Sequence, residues 1–383
     1  MTSYQVVVLS GGGARGAYGL GVLLALDKFH KEREKKITAI YCGASVGALN
    51  ATLAAQGELR TLKELYARLR TKDVLGTSSS KVSKWGMFLA LRRVPFYYFN
   101  NSALRSTIER YVRFDGLYNS HLLLCATNYI TGELETFYTS RLIDDFLAED
   151  QKQPPELRRM VNYHRIDSQG KLVDALLASS AIPFYLPPVK FGAFLYVDGG
   201  VGNNTPLRQA AYICRFLIRS EDAQLEPTFC VINDPIRFRI EEDQSRDIFG
   251  VVRRTMDIFH NELLTGSYFA WERINKEVRT ARERESLLES DIGRLDALTP
   301  TDKAALRQRV GEVLRPASTL TPRCELHLLV VRPKTPLVED VLSFDPDQSR
   351  ILKLHGIADC LELLEHKNLI THNNHRRWSS EIE

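Results

Sequence analysis

The chain has 383 residues, 44% hydrophobic and 26% charged, with a formal net charge of +4. This is ample for one large core, or a core with a subdomain, in an ordinary globular composition. The mild positive charge does not imply nucleic acid, no zinc-finger spacing or extended basic tract supports that reading, and no window of about 18 uninterrupted apolar residues offers a membrane span.

Tyr4–Leu9 is a short β-branched run that reads as a buried strand. It breaks into Gly11-Gly12-Gly13-Ala14-Arg15-Gly16. Leu20, Val22, Leu23, Leu24 and Leu26 then lie in a helical segment ending in the charged run Lys31–Lys36. A glycine-rich turn between strand and helix can aim backbone N–H groups at an oxyanion. Gly11-x-Gly13-x-x-Gly16 also fits the dinucleotide fingerprint, which expects an acid at the end of the next strand. That strand, Ile37–Cys42, runs into Gly43 with no acid, which argues against a nucleotide.

Gly43-Ala44-Ser45-Val46-Gly47 follows, and Ala48–Ala55 reads as a helix. The G-x-S-x-G form lifts a serine hydroxyl out of a tight strand-to-helix bend. Ser45 would sit where the helix dipole favours developing negative charge, and Gly43 and Gly47 let strand and helix approach closely. Alone the motif is weak, since Ser45 also suits a helix N-cap.

After the serine-rich loop 78–80, residues 81–99 interleave basic and bulky apolar side chains, among them Lys81, Lys84, Trp85, Arg92, Arg93, Tyr97 and Phe99. Two readings stand level: peripheral contact with a membrane surface, or a core helix with a solvated basic edge. Further on, Ala178-Ser179-Ser180-Ala181-Ile182-Pro183 leads towards Leu195-Tyr196-Val197-Asp198-Gly199-Gly200. There an acid stands where a short apolar strand breaks into glycines, a pattern that in isolation is an ordinary turn.

Taken in order, the glycine loop, the serine elbow, the serine-alanine-proline segment and the Asp-Gly-Gly resemble the patatin-like phospholipases. Ala126-Thr127-Asn128 with Thr131-Gly132-Glu133 and Phe137 resemble that family's central strand and hairpin. The likeness spans roughly residues 4 to 210. It implies a three-layer α/β/α fold and a Ser-Asp dyad, with Ser45 as nucleophile and Asp198 as base. It also implies an oxyanion hole from Gly11, Gly12 and Gly13, shaped by Arg15 and Gly16. The elbow glycines would be Gly43 and Gly47, and Gly199 and Gly200 would complete the Asp-Gly-Gly. The implied substrate is a phospholipid or lysophospholipid, with no metal or organic cofactor. An aspartate is a weak base at neutral pH, its unperturbed pKa being about 3.9, so Asp198 is expected to be largely desolvated.

Thr228–Asn233 reads as a later strand, Asp247–Arg315 as a long helical stretch, Cys324–Arg332 as a strand returning to the same sheet, and Asp347–His366 as a last helix. The tail His372–Glu383 is polar and is expected to be disordered. Strands alternating with helices point to an α/β fold with a mainly parallel sheet, helices on both faces and a C-terminal helical insertion. The expected organisation is a hydrolase domain over residues 1–345, then helix and tail over 346–383. Within that domain the catalytic core covers 1–235, the helical insertion about 236–320 and the returning strand about 324–332. Trp271, Ile274, Val278, Ala281, Leu288, Ile292 and Leu295 form an interrupted apolar stripe in the insertion, fit for packing on the core or for a coiled-coil dimer. The oligomeric state stays open.

Six scattered cysteines without a C-x-x-C, and no basic-apolar leader, lead to the expectation of a cytoplasmic protein, peripheral at membranes at most. The alternatives are a Ser-Asp-His esterase, since His260, His327 and His355 all follow Asp198, and a non-catalytic or effector-gated lipid binder. A serine peptidase is weaker. His366, His372 and His375 lie close in sequence without a carboxylate or thiol cluster, so a polar tail is the better reading than a metal site.

Overall fold

The computed structural model describes residues 2–33, 36–77, 97, 99–118, 120–152, 162–219, 223–235, 248–294, 299–313, 325, 327–335, 337 and 340–382. Its centre is one sheet. The strands are β1 (Thr2–Leu9), β2 (Ile37–Ala44), β3 (His121–Asn128), β4 (Leu134–Tyr138), β5 (Tyr163–Arg165), β6 (Val189–Phe191), β7 (Phe194–Asp198), β8 (Ala223–Leu225), β9 (Thr228–Val231) and β10 (Leu328–Val331). They run in the order β10-β9-β1-β2-β3-β4-β5, with β8 beside the start of β1 and β7 beside the end of β3. β10, β9, β1, β2 and β3 are mutually parallel, while β4 and β7 are antiparallel to β3 and β6 is antiparallel to β7.

The apolar strands are continuous rather than alternating because the sheet is covered on both faces. Successive side chains point to opposite faces. Val6 and Val8 of β1, Leu123 of β3 and Cys230 of β9 therefore enter one core, and Val7, Leu9, Leu122, Leu124, Phe229 and Val231 the other. The second core is closed by α1 (Gly16–Lys31), α2 (Val46–Ala55) and α3 (Gln169–Ser179). The first is closed by α4 (Leu207–Arg219), with Trp271 of α5 (Ile248–Gly293) also packed there. Trp271, Val278 and Ile292 of the sequence stripe are buried; the side chains of Ile274, Ala281 and Leu288 and the whole of Leu295 lie outside the described residues.

The returning strand pairs in parallel with β9, as expected, but is confined to Leu328–Val331, with His327 preceding it on the surface. Cys324 lies outside the described residues. The five described cysteines are buried and form no disulfide with one another, and Cys42, Cys125 and Cys230 lie in strands.

The tail departs from expectation. After α6 (Pro346–His366), residues His372–Ile382 form a further helix, α7, instead of a disordered end. Its Trp378 is 1% exposed in the core shared with α1 and α6, Arg377 pairs with Glu32 just past α1, and Glu381 pairs with Lys28 of α1. One buried indole and flanking ion pairs order a segment whose composition alone is polar.

Candidate functional site

β2 ends at Ala44 and α2 begins at Val46, so Ser45 is the whole turn between them. Its φ of 52° and ψ of −128° lie in a region that side chains other than glycine rarely adopt. The two arms of the bend approach closely. A Cβ on Gly43 would stand 2.3 Å from the Gly47 carbonyl oxygen, and one on Gly47 would stand 2.3 Å from the Leu9 oxygen. Both lie far inside van der Waals contact, so these two positions must be glycine.

β7 delivers Asp198 to the same place. It runs antiparallel to the end of β3, with Asp198 opposite Ala126, where β2 has just ended opposite Cys125. Ser45 Oγ donates to Asp198 Oδ2 at 2.7 Å, and the Gly200 N–H donates to Asp198 Oδ1 at 2.7 Å. Ser45 and Asp198 are each 6% exposed, so the carboxylate is desolvated as expected. Neither His327 nor His355, both exposed, bonds to either residue, and the side chain of His260 lies outside the described residues.

The glycine loop lies alongside. A Cβ on Gly11 would be 3.1 Å from Ser45 Cβ. Asn233 of the segment after β9 ties the loop down, its Nδ2 donating to the Ser10 and Gly11 carbonyls at 2.9 and 3.2 Å. Gly12 and Gly13 have φ of 148° and 55°. The loop's N–H groups then divide. Gly11 donates to Asn204 O at 3.0 Å and Ala14 to Val341 O at 2.7 Å, whereas those of Gly12 and Gly13 have no acceptor among the described residues. Arg15, buried, pairs with Asp234 and anchors the loop's far end. Gly16 lets α1 start against α2, since a Cβ there would be 2.4 Å from Val46.

A third participant comes from the serine-alanine-proline segment, a motif of the resemblance that assigns Ser179 no role. Ser179, at the end of α3, is fully buried, accepts the Ser45 N–H at 2.9 Å and donates to the Cys125 carbonyl at 2.7 Å. Two residues on, the Ala181 carbonyl accepts the Asp198 N–H at 2.9 Å. The backbones of Ser45 and Asp198 are therefore both fixed by one three-residue segment.

A buried serine at a strained elbow, bonded to a buried carboxylate beside two unengaged backbone N–H groups, is an arrangement suited to acyl transfer. A family model for patatin-like phospholipases matches residues 7–211, more than half of the chain. The chain belongs to the patatin-like phospholipase family. That membership supports lipid hydrolase activity. Proteins named cGAMP-activated phospholipase are similar to it: the one from Escherichia coli (strain TW11681) is 27% identical over 215 residues, covering 53% of each chain. Patatin-like protein 4 of Arabidopsis thaliana is 30% identical over 226 residues, covering 52% of this chain and 49% of that protein. The chain thus spans about half the length of the curated relatives it matches. The crystal structure of VipD from Legionella pneumophila superposes with a TM-score of 0.39 at 14% identity, over 95% of this chain and 67% of that one.

No described helix is long and apolar enough to cross a membrane, and no group of three or more described His, Cys, Asp or Glu side chains could hold a metal ion. Of the basic-aromatic segment 81–99, residues 81–96 and 98 lie outside the described residues. Phe99 at its end is buried and stacks on Tyr185 with ring centroids 6.5 Å apart.

Proposed function

We propose that the protein is a serine acyl hydrolase that releases fatty acids from glycerophospholipids or lysophospholipids through a Ser45–Asp198 dyad. The observation that carries this reading is the 2.7 Å hydrogen bond from Ser45 Oγ to Asp198 Oδ2 at a left-handed elbow. Ser45 Oγ attacks the ester carbonyl carbon while its proton passes to Asp198. The resulting oxyanion accepts from the Gly12 and Gly13 N–H groups, collapse expels the alcohol with the proton from Asp198, and an acyl-serine remains. Water then attacks that ester, giving its proton to Asp198, and the fatty acid leaves as Ser45 is reprotonated.

A lipid substrate also suits the surroundings. β7, which carries Asp198, exposes Phe194 and Leu195, and the Tyr129 N–H donates to the Leu195 carbonyl, bringing exposed Tyr129 and Ile130 beside them. Such an apolar cluster suits peripheral contact with a lipid surface.

The test is a fluorophosphonate probe on the purified protein beside Ser45→Ala and Asp198→Asn, with fatty-acid release from mixed phospholipid vesicles. Labelling and release in the wild type, absent from both variants, support the dyad. A wild type that stays unlabelled with and without a cyclic dinucleotide sinks it. A second reading, an effector-gated form of the same hydrolase, is favoured by similarity to proteins named cGAMP-activated phospholipase. It predicts release only once a cyclic dinucleotide is added.

A further inference from the structure

Ser45 faces Asp198 in a left-handed conformation, which has to be held against the tendency of a non-glycine residue to leave it. The glycines of the elbow make room for the bend but do not by themselves hold the Ser45 peptide in it. Ser45 is buried, so its N–H needs an acceptor. It finds the Ser179 hydroxyl at 2.9 Å. That hydroxyl in turn donates to Cys125 O at 2.7 Å, on the strand paired with both β2 and β7. A hydroxyl is the one small side-chain group that accepts and donates from a single atom, which is the requirement at this point.

We infer that Ser179 is a positioning residue for Ser45: its hydroxyl, bridging the Ser45 N–H and the Cys125 carbonyl, holds the nucleophile in register with Asp198. Because Ala181 O holds the Asp198 N–H at 2.9 Å, the end of α3 sets both members of the pair from one rigid origin. The same bond removes the Ser45 N–H from the oxyanion-binding set and leaves that task to the glycine loop. The inference rests on the dyad reading above.

The experiment compares Ser179→Ala, Ser179→Cys and Ser179→Thr with the wild type, measuring fluorophosphonate labelling rate, kcat and KM on a soluble short-chain ester, and Tm. Loss of the bridge should lower kcat and the labelling rate about 10- to 100-fold with KM nearly unchanged, as expected for a misplaced reacting group. Thr, which keeps the hydroxyl, should recover more activity than Cys, a poor acceptor of nearly the same size. Ser168, the N-cap at the other end of α3, provides the control. Ser168→Ala should lower Tm without moving kcat.

Wild-type kcat and labelling in Ser179→Ala would overturn the positioning role while leaving the dyad intact. Should Ser179→Ala not fold, the order Thr above Cys decides, and equal activity of those two overturns the role. A wild type unlabelled with and without a cyclic dinucleotide overturns the dyad reading and this role with it.

Discussion

Asp198 and Glu135 stand opposite the same residue, Ala126, from the two sides of β3. Residues directly opposite in antiparallel pairs share a face, so both carboxylates lie on one face of the sheet. Their surroundings differ. Asp198 accepts from Ser45 Oγ and the Gly200 N–H, whereas Glu135 Oε2 accepts from Tyr196 and His164, each at 2.6 Å, and Oε1 from Asn128 and Asn162 at 2.9 and 3.1 Å. Tyr196 lies two residues before Asp198 on β7 and so points the same way. The saturated carboxylate of Glu135 thereby ties β7 to β4 and β5.

This network should appear in the acid stability of the protein. Burial by itself would raise the Glu135 carboxyl, but the bonds from Tyr196, Asn128, His164 and Asn162 outweigh it and hold the group below its ordinary value. A carboxyl lowered on folding contributes stability that is present above its unfolded pKa, about 4.3, and is lost as pH falls through the lower folded value. Tm of the wild type should therefore decline below pH of about 4.3. Glu135→Gln should start lower at neutral pH and decline less steeply. A variant with the wild-type slope would sink this account.

The units closest to the site are legible in the sequence because each is local. Strand, glycine loop and helix around Gly12, and strand, serine and helix around Ser45, are each written within a few turns of chain. The pairing of Ser45 with Asp198, 153 residues apart, is not local, and only the resemblance of the motifs joins them. Ser179 escapes for the same reason. Its segment is one of the motifs, but nothing local to it tells that the serine bridges two backbone groups 54 and 134 residues away. The division of labour in the loop, with Gly11 bonded to Asn204 and Gly12 and Gly13 unengaged, depends on a residue from beyond β7. The tail is misread because composition registers ten polar or charged neighbours more readily than one buried tryptophan.

Gly47 gives a sharper test of the elbow than the serine itself. A Cβ there would meet the carbonyl oxygens of Leu9 and Ser10 at 2.3 and 2.5 Å, and backbone cannot yield as a side-chain tip can. Overpacking of this kind costs about 1–3 kcal/mol and displaces α2 from β1. Gly47→Ala should lose labelling at Ser45 about 100-fold or more through misplacement of the hydroxyl, with a reduced Tm. Labelling at the wild-type rate would show that the close approach is not required.

The Arg15–Asp234 pair should matter for stability as well as for the loop. Both side chains are nearly buried, at 10% and 14% exposure. Removing the Asp234 carboxylate takes an ion-pair partner from a buried charge and costs about 1–3 kcal/mol. Asp234→Ala should therefore lower unfolding stability in urea by that order, and it should slow acylation by loosening Gly12 and Gly13. A stability loss under about 0.5 kcal/mol would mark the pair as an ordinary surface contact.

Trp378 allows volume and polarity to be separated in the packing of the last helix. Its ring is buried among α1 and α6, yet its Nε1–H has no acceptor among the described residues. Replacement by alanine removes the apolar ring and leaves a cavity, which for a buried tryptophan costs about 3–5 kcal/mol. Replacement by phenylalanine keeps most of the ring and removes a buried donor that has nothing to bond, so its cost should stay below about 1.5 kcal/mol. Denaturant unfolding of the two variants should give that order, with kcat on a soluble ester little changed in Trp378→Phe because α7 packs on α1 rather than on the elbow. Equal losses in the two variants would mean that the indole N–H does have a partner, and that its hydrogen bond, not the ring's volume, holds α7 in place.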